Sequence, residues 1–251
     1  MKKQGAGILL AVDAGNTSIA FGAFGAGKTD IFKVSSTPQG LAQIKKHIRE
    51  PRKIGTIMVS SVVPGINKSL GKALKKITRV MPHFITLKDT GVPIRLRNPK
   101  EAGMDRLINT LAAHKIYRKA AIVVDMGTAT TFDIVSAKGE YLGGAIAAGI
   151  GISSQALWTR CAKLKPVPIS IPGKAGGKNT KDAMRSGIVL GHTAMIEGMV
   201  SRLKKEHNFK PVIIGTGGFV NIIKKTTKVF DVVDPDLTLK GIKIIVEIRR
   251  R

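Results

Sequence analysis

Twice in this chain an apolar run ends in a single carboxylate, with glycine two residues further on. Residues 9–24 read LLAVDAGNTSIAFGAF and residues 123–135 read VVDMGTATTFDIV. The two stretches lie 112 positions apart, aligning Asp13-Ala14-Gly15-Asn16-Thr17 with Asp125-Met126-Gly127-Thr128-Ala129. Glycine permits a tight turn and close backbone approach by a ligand. Backbone N–H groups and small polar side chains in such a turn suit phosphate oxygens. A pair of ordinary hairpin turns uses the same residues, because Asp and Gly are common turn formers. The duplication, with the acid in register in both halves, favours function.

The flanking pattern repeats as well. Residues 8–12, 18–24 and 31–34 read as strands separated by glycine turns. A short amphipathic helix follows at 41–48, a strand at 56–60, and a helix opening on Pro64 and running to 77. Residues 84–87 read as strand and 103–117 as helix. The order then restarts, with strands at 121–124, 131–135 and 141–146 and a helix at 152–164. The Pro- and Gly-rich residues 165–178 read as a loop, and Asn179 as the cap of a long helix to 205. Next come a strand at 212–215, Thr216-Gly217-Gly218 leading into a helix, a strand at 229–233 and a closing helix at 237–248. Helical crossovers imply parallel pairing within each sheet. The reading is an α/β chain of two duplicated domains, 1–118 and 119–251.

Hydrophobic residues make up 43% of the 251 and aromatics only 4%, so the core must be mainly aliphatic. No apolar run reaches the roughly 18 residues a membrane helix needs. The start, MKKQGAGILLAVDAGN, mimics a signal peptide, but its apolar run ends at Asp13. Together with the single Cys161 this predicts a soluble cytoplasmic protein without disulfides. Cysteine-built metal clusters are excluded, and the five histidines include no close-spaced pair. Basic residues outnumber acidic ones 42 to 16, a net charge of +26. Such an excess attracts polyanions. The Lys-Lys pairs at 2–3, 45–46, 75–76, 204–205 and 224–225 are spread, however, and no basic block carries interleaved aromatics. A solvated basic surface is expected, with no membrane and no specific nucleic-acid partner.

Two carboxylates facing each other across a cleft would hold Mg²⁺ beside a triphosphate, directly or through water. That is the chemistry of phosphoryl transfer. Neither copy matches G-x-x-x-x-G-K-[ST]. A third acid stands in NPKEAGMDRLIN at 98–109, where Asp105 and Arg106 open a helix. The helix dipole favours an ionised carboxylate there, able to accept a proton, and Arg106 suits an anionic substrate group. The plain alternative is a first-turn Asp beside a surface Arg. Thr180, after the loop, offers hydroxyl and backbone donors or simple capping. Gly187, Gly191, Ala194 and Gly198 form a small-residue stripe, for close helix packing inside the fold by default or across a dimer.

Taken together, these segments resemble the type III pantothenate kinase family, within the superfamily of sugar kinases and actin. DAGNT at 13–17, GMDR at 103–106, DMGTATTFD at 125–133, GEYLGGAIAAG at 139–149, NTKDAMRSG at 179–187 and LTLKGI at 237–242 carry the likeness. The resemblance implies two ribonuclease H-like (actin-like ATPase) domains, with mixed β-sheets flanked by helices. It implies transfer of phosphate from ATP to pantothenate, the first step of coenzyme A synthesis, by a homodimer. Asp105 would be the base for the pantothenate hydroxyl. Gly103, Met104 and Arg106 would bind pantothenate, with Thr180 reaching it from the partner subunit. Asp13, Ala14, Gly15, Asn16, Thr17 and Thr128 would surround the ATP phosphates, and Gly217 and Gly218 would line the nucleotide side. Asp13 would attract Mg²⁺, and Asp125 a monovalent cation, K⁺ or NH₄⁺. The chain departs from the family in Met104, where a small residue is usual, in Ala148, where Pro is common, and in its charge. Ala148 is expected to loosen the loop after its strand. A non-catalytic relative acting as regulator or nucleic-acid binder, and a kinase for a sugar or acetate, are the competing readings.

Overall fold

The chain is described by a computed structural model for residues 7–25, 29–207 and 209–250. Residues ILLAVDA carry no polar side chain before Asp13, so β1 (Ile8–Ala14) is buried on both faces. It occupies the centre of a five-stranded sheet. Antiparallel β2 (Ser18–Phe24) lies on one side, followed outward by antiparallel β3 (Thr29–Ser35). After α1 (Pro38–His47), β4 (Ile54–Ser61) returns parallel on the other side of β1. α2 (Pro64–Thr78) then leads to the two-residue parallel edge strand β5 (His83–Phe84), followed by α3 (Leu87–Thr90) and α4 (Met104–Tyr117).

The second sheet repeats this plan. β6 (Ala121–Met126), β7 (Ala129–Val135) and β8 (Tyr141–Ala148) form an antiparallel meander. α5 (Ile150–Arg160) and the long α6 (Thr180–His207) lead to β9 (Val212–Thr216), parallel to β6. α7 (Val220–Ile223) and the parallel edge strand β10 (Val232–Val233) follow, and α8 (Leu237–Arg249) closes the chain. The strand orders, β3-β2-β1-β4-β5 and β10-β9-β6-β7-β8, are the same topology. The duplicated mixed sheets flanked by helices are therefore as expected.

Packing follows strand alternation. Leu10, Val12 and Ala14 face the layer built by Ile44 of α1 with Leu70 and Leu74 of α2. Leu9 and Ala11 face Ile108 and Leu111 of α4 with Leu239, Ile242 and Ile245 of α8. In the second sheet, Ile122, Val124, Met126, Phe132 and Ile134 pack on Met184, Ile188, Val189 and Ile196 of α6.

Several elements differ from expectation at their ends. The strand expected at 84–87 stops at Phe84, because Thr86 and Asp89 form a reciprocal capping box that opens α3. The strand expected at 229–233 keeps only Val232–Val233. The Asp231 carboxylate accepts the Ile213 N–H at 2.8 Å, taking a β9 donor that a longer ladder would use. The helix after Thr216-Gly217-Gly218 is only the four residues of α7. Ala148 ends β8 without a loose loop: only Gly149 separates it from α5.

The described residues form two compact units. One comes from Met1–Val92, Lys100–Ala112 and Thr238–Arg251, the other from Pro93–Pro99 and Ala113–Leu237. The sequence repeat divides at 118/119, whereas packing returns α8 to the first sheet. Its apolar residues complete the face opened by Leu9 and Ala11. Thr238 of α8 donates to the buried Asn109 of α4 at 2.8 Å. A Cβ on Gly241 would lie 2.6 Å from the Ile108 carbonyl oxygen, so the two helices cross in backbone contact.

Candidate active site

In the first unit β1 delivers Asp13 to its carboxyl end, opposite Ala20 of β2 and Ser60 of β4. The turn beyond is closed by its own hydrogen bonds. The Gly15 N–H donates to the Ser18 carbonyl (3.1 Å), and the Ser36 hydroxyl donates to the Gly15 carbonyl (2.5 Å). Ala14 is buried, and its carbonyl accepts the Val62 N–H. Asn16 and Thr17 are exposed at the tip of the turn.

Asp105 joins Asp13 from α4. The Gly103 carbonyl accepts the Leu107 N–H, which starts the helix, and Asp105 Oδ1 accepts the Arg106 N–H at 2.8 Å. A Cβ on Gly103 would lie 2.7 Å from Asp105 Oδ1. Glycine stands there because a side chain would push the carboxylate aside. Met104 packs against the apolar face shared by β1, α4 and α8, so the larger residue is accommodated in the core. Thr110 fastens the first turn by donating to the Arg106 carbonyl.

Asp13 senses the charge of Asp105. Burial first, and then the nearby Asp105 charge, raise the Asp13 pKa to about 7, against the Ser60 hydroxyl and the Lys33 ammonium, which hold it down. Ser60 Oγ is buried and meets no partner of standard hydrogen-bond geometry, so its interaction with Asp13 is long or bent. Burial also raises Asp105, opposed by the Arg106 N–H and guanidinium. A raised carboxylate pKa makes each a better proton acceptor once ionised. A divalent cation beside Asp13 would neutralise the charge that two carboxylates accumulate there. Among the described residues no three His, Cys, Asp or Glu side chains cluster for a metal. A cation at Asp13 would thus take most of its ligands from water and phosphate, which fits Mg²⁺.

In the second unit β6 delivers Asp125 between Thr131 of β7 and Thr216 of β9. The Gly127 N–H donates to the Ala129 carbonyl (3.0 Å), and the Thr128 carbonyl accepts the Gly149 N–H (3.2 Å). Gly217 has φ +92°, and a Cβ there would lie 2.4 Å from Asp125 Oδ1. Both the conformation and the space demand glycine. Gly218 is exposed beside it. The backbone of Gly217 lies close against the Asp125 carboxylate and the Met126 backbone. Neither Gly15 nor Gly127 has an N–H to spare for phosphate, because each turn consumes it internally.

Thr180 is the exposed first residue of α6. Asn179 caps the helix: its Oδ1 accepts the Asp182 N–H (2.9 Å) and its Nδ2 donates to Asp182 Oδ2 (2.8 Å). Capping belongs to Asn179, which leaves the Thr180 hydroxyl to other work. Gly187, Gly191, Ala194 and Gly198 are exposed, and a Cβ on any of the three glycines meets nothing within 4 Å. The default of internal packing for this stripe is therefore corrected: the core side of α6 is the face of Ile188, Val189 and Ile196.

Sequence reasoning missed Ser60 and Lys33, which tune Asp13, and His192. The His192 ring pairs with the Thr130 hydroxyl at 2.9 Å, behind the Asp125 turn, and both are buried. Burial lowers the His192 pKa and favours the neutral ring. The strand register of Ser60 with Asp13 was available in the pattern. The long-range pairing of residues 130 and 192 had no local signal.

The geometry has relatives. Residues 9–202 match the family model for type III pantothenate kinase. The Moorella thermoacetica type III pantothenate kinase is 40% identical over 251 residues, covering 96% of this chain and 99% of that one. A Campylobacter jejuni structure named for the Baf family of transcriptional activators aligns with TM-score 0.62 at 21% identity, covering 96% and 98%. A structure of an archaeal actin homolog aligns with TM-score 0.52 at 13% identity, covering 96% and 99%. At those identities the two structures show the fold alone, an actin-like duplication. With the Gly103–Arg106 segment and both carboxylate turns in place inside the matched span, the chain belongs to the type III pantothenate kinase family.

Proposed function

We propose that this protein transfers the terminal phosphate of ATP to the hydroxyl of pantothenate, with Asp105 as the base. The observation that carries the assignment of the base is the pairing of Asp105 with Asp13 inside one unit, behind a glycine whose side chain would displace it. Asp105 accepts the hydroxyl proton as the oxygen attacks phosphorus. Its raised pKa matches that task better than that of an exposed carboxylate would. Arg106, Gly103 and the Met104 backbone hold pantothenate. Asn16, Thr17 and Thr128 face the ATP phosphates, with Gly217 and Gly218 along the nucleotide. Mg²⁺ at Asp13 and K⁺ or NH₄⁺ at Asp125, when bound, offset phosphate charge.

The same reading makes the protein a homodimer. The open glycine stripe on α6 supports it, since small residues let two helices approach closely. Thr180, on the same helix, then serves the pantothenate of the partner subunit. A cytoplasmic location accompanies this reading: Cys161 is a free, exposed thiol, and no helix among the described residues is long and apolar enough to cross a membrane. The test is direct. Purified protein with Mg-ATP, pantothenate and K⁺ should form phosphopantothenate, and a panel of sugars and acetate should stay unphosphorylated. Phosphorylation of a sugar in preference to pantothenate would reject the substrate assignment.

A further inference from the structure

The fold gathers positive charge that the sequence holds apart. Between Lys45 and Arg79 the chain carries ten basic residues and one acidic residue, Glu50. α1 packs against α2, and α2 against the short 3-10 turn Pro51–Lys53, so Lys45, Lys46 and Arg52 share one side of the first unit with α2. Along α2, Lys68, Lys72, Lys75 and Lys76, with Arg79 at its C-cap, are all exposed. Their spacing places them within an arc of about 100° and a length of about 16 Å. No acidic residue occurs in Pro64–Thr78, and no ion pair among the described residues involves these five. The nearby acids are already engaged, Asp30 with Arg49 and Glu50 with Lys53. A row of five unscreened cations costs self-repulsion, and it contributes nothing to the apolar underside of the helix, which Leu70 and Leu74 anchor.

We infer that this face of α2, flanked by α1, docks the phosphate backbone of double-stranded nucleic acid without reading its sequence. About 16 Å of helix laid along a duplex faces a phosphate charge about every 1.7 Å of its axis, an anionic density that a row of cations can offset. A single-stranded ligand is disfavoured, because its binding relies on aromatic platforms for the bases. α2 has none. A membrane surface is disfavoured as well, since an interfacial helix pairs its cations with exposed Trp, Phe or Leu. The exposed apolar side chain nearest the stripe in sequence is Met81, beyond the C-cap. None of the residues assigned to catalysis lies in α1 or α2, so binding here and turnover are separable.

The test compares two variants of equal charge. One carries Lys68→Gln, Lys72→Gln and Lys76→Gln on α2. The other carries Lys204→Gln, Lys205→Gln and Lys225→Gln, exposed positions elsewhere. Binding of a short labelled duplex of mixed sequence is followed by fluorescence anisotropy over a KCl series. Neutralising α2 should weaken binding by about tenfold or more and flatten the log–log salt slope by about 2 to 3. The control variant should stay within about twofold of wild type. The single variant Lys72→Glu should weaken binding in the same direction should the triple variant prove unstable. Phosphopantothenate formation should be unchanged in all variants. Equal losses in both triple variants would reduce the effect to net charge and overturn the inference. So would unaltered binding after α2 is neutralised, or α2-dependent capture of phosphatidylserine vesicles or single strands in preference to the duplex.

Discussion

Asp13 and Asp105 are held in one unit, each with a pKa pushed up by burial that Lys33 and Arg106 offset only in part. That arrangement opposes folding at neutral pH. A carboxyl whose folded pKa is raised above its unfolded value binds its proton more tightly when folded, so stability declines as pH rises from about 4 to about 7. Without Mg²⁺, Asp13→Asn should therefore be more stable than wild type at pH 8, by on the order of 4 kcal/mol, and the two should converge toward pH 4. Thermal melts across that range check the sign. Gly103→Ala places a methyl against Asp105 Oδ1 and should lower kcat by roughly tenfold or more while leaving the KM for ATP nearly unchanged. Steady-state kinetics separates the two. An equal kcat would mean that the carboxylate position matters less than its presence.

Elements explain why these residues meet at all. α4 carries Asp105 and Arg106, and its seat is fixed by α8 through the Gly241 crossing and the Thr238–Asn109 hydrogen bond. Gly241→Ala should cost about 1–3 kcal/mol in a urea melt and lower turnover, because the overpacked crossing tilts α4. On the other sheet, His192→Leu strands the buried Thr130 hydroxyl and should cost about 1–3 kcal/mol, while His192→Gln should recover part of that. Periodicity made β1, β2 and α2 readable nearly to the residue, since each has one clear apolar pattern and a turn or Pro64 at its edge. It overextended β10 and the strand at 84–87, where a side chain, Asp231 or Asp89, takes over backbone donors. The carboxylate turns could be read because each is local. The pairings of Asp13 with Asp105, of residues 130 and 192, and of α8 with the first sheet depend on contacts between distant segments, which local pattern does not encode.

At the scale of the molecule, one chain repeats a sheet and uses each copy differently: the first brings an acid from α4 to its carboxylate turn, and the second sets Asp125 against Gly217. The homodimer proposed through the exposed α6 stripe predicts that Gly191→Glu yields a monomer by light scattering, with weaker saturation by pantothenate and little change in nucleotide binding. A variant that remains dimeric would show that the stripe is not the interface. Central to the account is that this chain phosphorylates pantothenate through Asp105. The most direct measurement is phosphopantothenate formation by purified wild type and Asp105→Asn with Mg-ATP and K⁺, each first shown to be folded by its thermal melt. The account predicts steady product from wild type and a loss of roughly 100- to 10,000-fold in the variant. A folded wild type that makes no phosphopantothenate, or a variant that turns over at the wild-type rate, would contradict it.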